Sequence, residues 1–231
     1  MRAFRYLVLL ALLVCASALA GVPERPRFRV VGPAQGLPST EIKALARDAG
    51  GYLWIATADG LARHDGIDMR VWRHDPRDPA GLPGNNVQAL AFDARDRAWI
   101  ATEGGGISVL DARRAHFTHY RMATHPQLGS DDVWALARQG DVVWAGTYEG
   151  GLTRIDARGA MRRYTRAVDG LPSDTVLSLA VDADGVLWVG TDKGLARQRG
   201  ARFEVVSLPA ADGVPMLYSL SLQSDGLWAG T

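Results

Sequence analysis

The chain has 231 residues, 47% of them apolar, and its 26 Lys and Arg against 25 Asp and Glu leave a formal net charge of +1. That length holds one large domain or two small ones, with apolar residues enough for a sizeable core. The balanced charge excludes a broadly basic nucleic-acid surface and an acidic tail.

Residues 1–20 are a separate object. Arg2 and Arg5 make a positive start, Leu7 to Val14 is an unbroken apolar run, and Ala18-Leu19-Ala20 has the small-x-small pattern of a cleavage site. This predicts a secretory signal peptide and a periplasmic product, because an apolar stretch of about 14 residues is shorter than the ~20 a spanning helix needs. Cys15 is the single cysteine, and Val14 stands before it where lipid attachment needs a small residue. Cleavage after Ala20 leaves a cysteine-free chain stabilised by packing alone. Residues 21–35 read as a lead-in, with Phe28 to Val31 as a lone outer strand.

From residue 36 the sequence repeats. Trp54-Ile55-Ala56-Thr57 returns at Trp99, Trp144, Trp188 and Trp228, with spacings of 45, 45, 44 and 40. Gly36-Leu37-Pro38 returns as Gly81-Leu82-Pro83 and Gly170-Leu171-Pro172, and degrades to Leu128-Gly129 and Gly213-Val214-Pro215. An apolar residue (Ile42, Val87, Val133, Val176 or Leu217) precedes each Trp by eleven or twelve positions, and Gly60, Gly106, Gly151 and Gly194 follow the first four by six or seven. The units run 36–80, 81–126, 127–169, 170–208 and 209–231, the last incomplete.

Inside the second unit, Val87–Phe92, Ala98–Thr102, Ile107–Leu110 and His116–Tyr120 are short apolar or aromatic runs separated by polar turns. They predict a four-stranded antiparallel meander, and no segment holds a helical period beyond two turns. Repeated at this period, the meander predicts an all-β propeller, whose blades bury their faces against neighbours. The Trp of each second strand supplies an apolar plate for the layer between blades. The small Ala or Gly two residues later leaves room for a neighbour, and the following Gly allows positive φ in the turn to the third strand. Four complete blades and part of a fifth predict an N-terminal portion of a larger ring, which Phe28 to Val31 would help to close. Alone, such a portion is expected to be poorly soluble, since it leaves blade faces and strand edges open.

Gly170 to Val176, Asp182 to Thr191 and Gly194 to Arg197 together resemble the two-component regulator propeller repeat, and the resemblance extends over about Phe28 to Thr231. The third unit departs most, with Gln139-Gly140-Asp141 in place of the usual turn. The resemblance implies a seven-bladed parent in which the propeller precedes a β-sandwich, a transmembrane helix and a cytoplasmic histidine kinase or diguanylate cyclase. It implies a non-catalytic sensing role here and an inner-membrane anchor supplied only by C-terminal parts. It allows a homodimer formed through the parent.

The mature chain has His64, His74, His116, His119 and His125. A spacing of three puts His116 and His119 on opposite faces of a strand, which is poor metal geometry. No metal, cofactor or nucleic acid is expected. Asp182-Ala183-Asp184-Gly185 resembles the start of a calcium loop but lacks the later Glu, and it suits a hairpin turn. Without a Gly-x-Ser-x-Gly elbow, no catalytic residues are expected. Trp54, Trp99, Trp144, Trp188 and Trp228, the Thr of each Trp-x-x-Thr and the acidic Asp59, Glu103, Glu149 and Asp192 recur with the repeat and read as blade-building.

The units differ in the loops leading into their first strands and in those between second and third strands. These are expected to share one face as a polar, acidic ring about the channel mouth. The candidate ligand-binding residues are Thr40, Asn85, Asn86, Asp131, Asp132, Trp134, Tyr148, Glu149 and Asp174. Acceptors beside Trp134 and Tyr148 suit a sugar or another polyhydroxylated small ligand. Two other readings stay open. A propeller lyase needs a basic His at the mouth, where none is expected. A periplasmic scaffold for a protein partner predicts an exposed apolar patch.

Overall fold

The computed structural model describes residues 28–208, 215–223 and 226–231. The predicted signal peptide and most of the lead-in lie outside them. The chain divides into two compact units, 1–31 and 32–231. In the first, residues 28–31 form no strand, and Phe28 and Val30 are exposed. The outer strand expected over Phe28 to Val31 is thus not formed among the described residues.

The second unit is a series of β-meanders. The first blade is β1 (Ile42–Arg47), β2 (Leu53–Thr57), β3 (Gly60–His64) and β4 (Met69–Trp72). The second is β5 (Val87–Phe92), β6 (Ala98–Thr102), β7 (Gly106–Leu110) and β8 (Phe117–Tyr120). The third is β9 (Val133–Gln139), β10 (Val142–Thr147), β11 (Gly151–Ile155) and β12 (Met161–Tyr164). The fourth is β13 (Val176–Val181), β14 (Leu187–Thr191), β15 (Gly194–Arg199) and β16 (Arg202–Val206). A last hairpin joins β17 (Ser219–Gln223) to β18 (Gly226–Gly230). Each sheet runs in sequence order and every pair is antiparallel. The first strands β1, β5, β9, β13 and β17 neighbour one another in turn, so the blades radiate from a shared inner edge. The protein is an all-β propeller of four-stranded blades.

In the first three blades the Trp packs onto the next blade. Trp54 sits among Leu82, Val87 and Ile100, Trp99 among Leu128, Val133 and Val143, and Trp144 among Leu171, Val176 and Val189. All three are at most 2% exposed. Behind each lies an aromatic of its own fourth strand: Trp72 at 5.0 Å, Tyr120 at 5.8 Å and Tyr164 at 5.3 Å between ring centroids. A Trp buries about 150–250 Å², so at ~25 cal/mol per Å² each contributes at most about 4–6 kcal/mol. The small residue two places on has a visible cause at Gly146. A Cβ there would lie 2.4 Å from Cγ1 of Val176 on the next blade.

Candidate functional site: the channel mouth

Each second strand ends in Thr and turns into the third at a glycine. Gly60, Gly106 and Gly151 have φ of 128°, 70° and 84°, where a side chain is strained. The Thr hydroxyl closes the turn: Thr57 Oγ1 donates to the carbonyl of Gly60 at 2.8 Å, Thr147 to that of Gly151 at 2.9 Å and Thr191 to that of Gly194 at 2.8 Å. Thr102 Oγ1 is buried with no partner among the described residues.

Main-chain bonds bring these turns against the loops leading into the next blade. The N–H of Gly60 donates to Asn85 O at 2.7 Å, that of Gly106 to Asp131 O at 2.9 Å, and that of Gly151 to Asp174 O at 2.7 Å. One residue on, Glu103 N–H donates to Asn86 O and Tyr148 N–H to Asp132 O. The two sets of loops therefore share one end of the blades.

The candidate side chains divide into two groups there. Asn85, Asp131 and Asp174 are turned back into the scaffold. Their Oδ1 atoms accept the N–H of His74 at 2.7 Å, Met122 at 2.6 Å and Arg166 at 2.7 Å, in the segment that follows the preceding blade's fourth strand. Each is a staple between adjacent blades. Asn85 also donates to Asp59, which is paired with Arg73 at 3.0 Å. Asp132 Oδ1 accepts the N–H of Gly104 at 2.9 Å.

The second group faces solvent. Thr40 and Glu149 are exposed, and Glu149 has φ of 57°. Asn86 is half-buried: its amide donates to the exposed carboxylate of Glu103, while its Oδ1 is buried with no partner among the described residues. Trp134 and Tyr148 are 40% and 45% exposed, and their rings stack with centroids 6.2 Å apart. One more feature recurs here. The register of each first hairpin slips once, between Ile42 and Ala44, Val87 and Ala89, Val133 and Ala135, and Val176 and Ser178. Lys43, Gln88, Trp134 and Leu177 are the bulge residues, and a bulge re-aims its side chain.

The opposite end carries structural chemistry. Trp54, Trp99 and Trp188 donate their indole N–H to Asp48, Asp93 and Asp182 at 2.9, 3.0 and 2.8 Å. The same carboxylates accept turn amides, as Asp182 does from Val186 at 2.7 Å. The Asp-x-Asp-Gly segment is accordingly a hairpin turn. In the divergent third blade, Gln139 Oε1 takes the Trp144 indole N–H at 2.8 Å. Burial pushes the Asp48 and Asp93 carboxyls up, but bonds from the indoles, turn amides and Arg side chains outweigh it and hold both below the usual range. The buried Arg114 ties the first two blades, at 3.3 Å from Asp48 and 2.6 Å from Asp96, with its guanidinium over the Trp54 ring.

The histidines are scattered. His74 Nδ1 donates to Leu82 O, His119 pairs with Ser108, and His116 lies beside Asp111. Among the described residues no three His, Cys, Asp or Glu side chains converge as a metal site, and no helix is long and apolar enough to cross a membrane.

Residues 36–59, 81–104 and 170–193 match the family described as "Two component regulator propeller". These are two-component regulator propeller repeats. The three matches start at the Gly-Leu-Pro segments and end just past each Trp-x-x-Thr, and the unmatched third blade is the one with the altered turn. No curated protein sequence matches the chain. Among solved structures it is similar to two B. thetaiotaomicron extracellular domains. One, BT3049, is described as part of a hybrid two-component system: 22% identity, TM-score 0.60, covering 88% of this chain and 34% of that one. The other, BT4673, is described both as a one-component and as a hybrid two-component system: 22% identity, TM-score 0.68, covering 85% and 26%. A catalytically inactive virginiamycin B lyase from Staphylococcus aureus, solved with quinupristin, is similar at 13% identity and TM-score 0.64, covering 84% and 64%. At such identities the likeness is one of fold. The chain spans about a third or less of the two B. thetaiotaomicron chains.

Proposed function

We propose that this chain is the extracytoplasmic, ligand-sensing input part of a membrane-bound signal-transduction protein whose output is a histidine kinase or a diguanylate cyclase. The three family-matched repeats carry the reading. The similar B. thetaiotaomicron domains, described as extracellular parts of signalling systems, support it, as does the signal-peptide pattern of residues 1–20. The sensing surface is the channel mouth. There Thr40, Trp134, Tyr148 and Glu149 face solvent, and Asn86 with Glu103 offers hydrogen-bonding groups to a small polyhydroxylated ligand. The segment itself binds and does not catalyse. Two measurements test this. Reading the gene beyond codon 231 is expected to show a membrane-spanning segment followed by a kinase or cyclase. Alkaline phosphatase fused after residue 231 is expected to be active, as it is only when exported. A gene with no membrane span, or an inactive fusion, would sink the proposal.

A further inference from the structure

The bulges at the inner strands set apart one position per blade. It is filled by Lys43, Gln88, Trp134 and Leu177, and Tyr218 holds the same place in the fifth unit. The residue before it is always Ile, Val or Leu, and the residue after it is always Ala or Ser. In blades two to four those neighbours are buried: Val87 and Ala89, Val133 and Ala135, Val176 and Ser178. The bulge residue is excused from the ladder and varies from cation to amide to aromatic to aliphatic. Bulges next to binding sites serve to re-aim a side chain, and these lie at the end of the blades where the mouth loops meet.

The variation is ordered around the mouth. Blades one and two present polar groups: Lys43, ion-paired with Glu41, and the half-buried Gln88. From blade three onward the groups are apolar or aromatic: Trp134 with Tyr148 stacked beside it, the largely covered Leu177, and the exposed Tyr218. A ligand of uniform polarity would leave one sector poorly matched, since a polar group set on an apolar wall without a partner is penalised.

We propose that the bulge positions are the ligand-reading residues of this propeller and that they select an amphipathic ligand. Its aromatic or aliphatic part lies over Trp134, Tyr148 and Tyr218, and its hydroxylated part lies toward Gln88 and Lys43. This rests on the sensing reading above and deepens it by naming the ligand class and the residues that discriminate.

The test is calorimetric titration of the full chain with the 4-nitrophenyl glycosides of glucose, galactose and glucuronic acid, each against its methyl glycoside. At least one nitrophenyl glycoside is expected to bind about tenfold or more tighter than its methyl counterpart, equivalent to ~1.4 kcal/mol. Trp134→Ala is expected to remove that advantage, Trp134→Phe to keep most of it, and Gln88→Leu to weaken both glycosides of a pair alike. Unchanged urea midpoints show that the variants are folded. Equal binding of the paired glycosides, indifference to Trp134→Ala, or no binding across the panel overturns the inference. If methyl glycosides bind, and do so through Thr40 or Glu149 alone, the bulge inference fails while the sensing reading stands. A missing membrane span would remove the sensing reading whatever the titrations show.

Discussion

Replacing Asp93 with Ala removes the acceptor beneath the Trp99 plate. Its Oδ2 takes the indole N–H at 3.0 Å, and its Oδ1 takes the amides of Arg95 at 2.9 Å and Arg97 at 3.0 Å. Trp99 is 2% exposed, so water cannot replace the lost acceptor without opening the layer between blades two and three. An orphaned buried donor costs about 1–3 kcal/mol, and each lost turn bond about 1 kcal/mol less whatever water restores. The expected loss is about 2–4 kcal/mol. Asp93→Asn keeps one acceptor oxygen and should lose about half as much, since Gln139 shows that a neutral amide oxygen can hold a Trp indole here. The assay is urea unfolding of the full chain followed by Trp fluorescence, read as a shift in midpoint at constant slope. The Asp93 carboxyl is held below its ordinary value of 3.8. A depressed pKa contributes stability that is complete above the unfolded value and lost as pH falls through the folded one. The gap between wild type and Asp93→Asn should therefore narrow below about pH 4. An Asp93→Ala protein within ~0.5 kcal/mol of wild type at neutral pH, the range of an ordinary surface change, would refute the reasoning.

Three further outcomes are expected. Gly146→Ala should cost about 1–3 kcal/mol by overpacking against Val176, and Val176→Ala in the same chain should relieve it; additive losses in the double variant would deny the contact. Arg114→Leu should cost about 3–5 kcal/mol by leaving Asp48 and Asp96 without their shared cation, and Arg114→Lys should recover less than half of that, because an ammonium cannot fork between both carboxylates; a Lys variant with the wild-type urea midpoint would contradict this. Trp134→Ala should change stability by less than ~0.5 kcal/mol, since its partly exposed ring belongs to the mouth and not to a layer between blades; a larger loss would make it a structural residue.

The propeller was legible because its devices repeat. Trp, Thr and Gly at fixed offsets answer to one plate, one turn closure and one positive φ per blade, and the structure uses them so at Trp54, Thr57 and Gly60. The staples were not legible. Asn85, Asp131 and Asp174 read as variable mouth residues, yet each accepts a backbone N–H eight to eleven residues earlier in the chain. A backbone donor leaves no mark in the sequence, and Asn and Asp offer it the same oxygen. One signal was available: all three are short side chains with a carbonyl or carboxylate oxygen two residues before the first strand. The bulges were hidden for a related reason. Strand alternation predicts which face a residue takes only while the ladder stays in register, and here it slips at the second residue of each of the first four inner strands. The indole acceptors could have been found, since Asp48, Asp93 and Asp182 each precede their Trp by six positions.

Trp54, Trp99 and Trp144 each look forward, onto the next blade. The layer between two blades is made of unlike surfaces, a plate from one and a socket of Val, Leu and Ile from the next, so the stack has a direction. Contacts of this head-to-tail kind either close into a ring or go on adding units. Because plate, socket and staple recur with the blade, losing or gaining one whole unit leaves every remaining layer matched, whereas losing half a unit strands a plate without its socket. For such an architecture, evolution by whole-blade duplication and deletion is the mechanically tolerant route, with the identity of each bulge residue free to change as blades are shuffled.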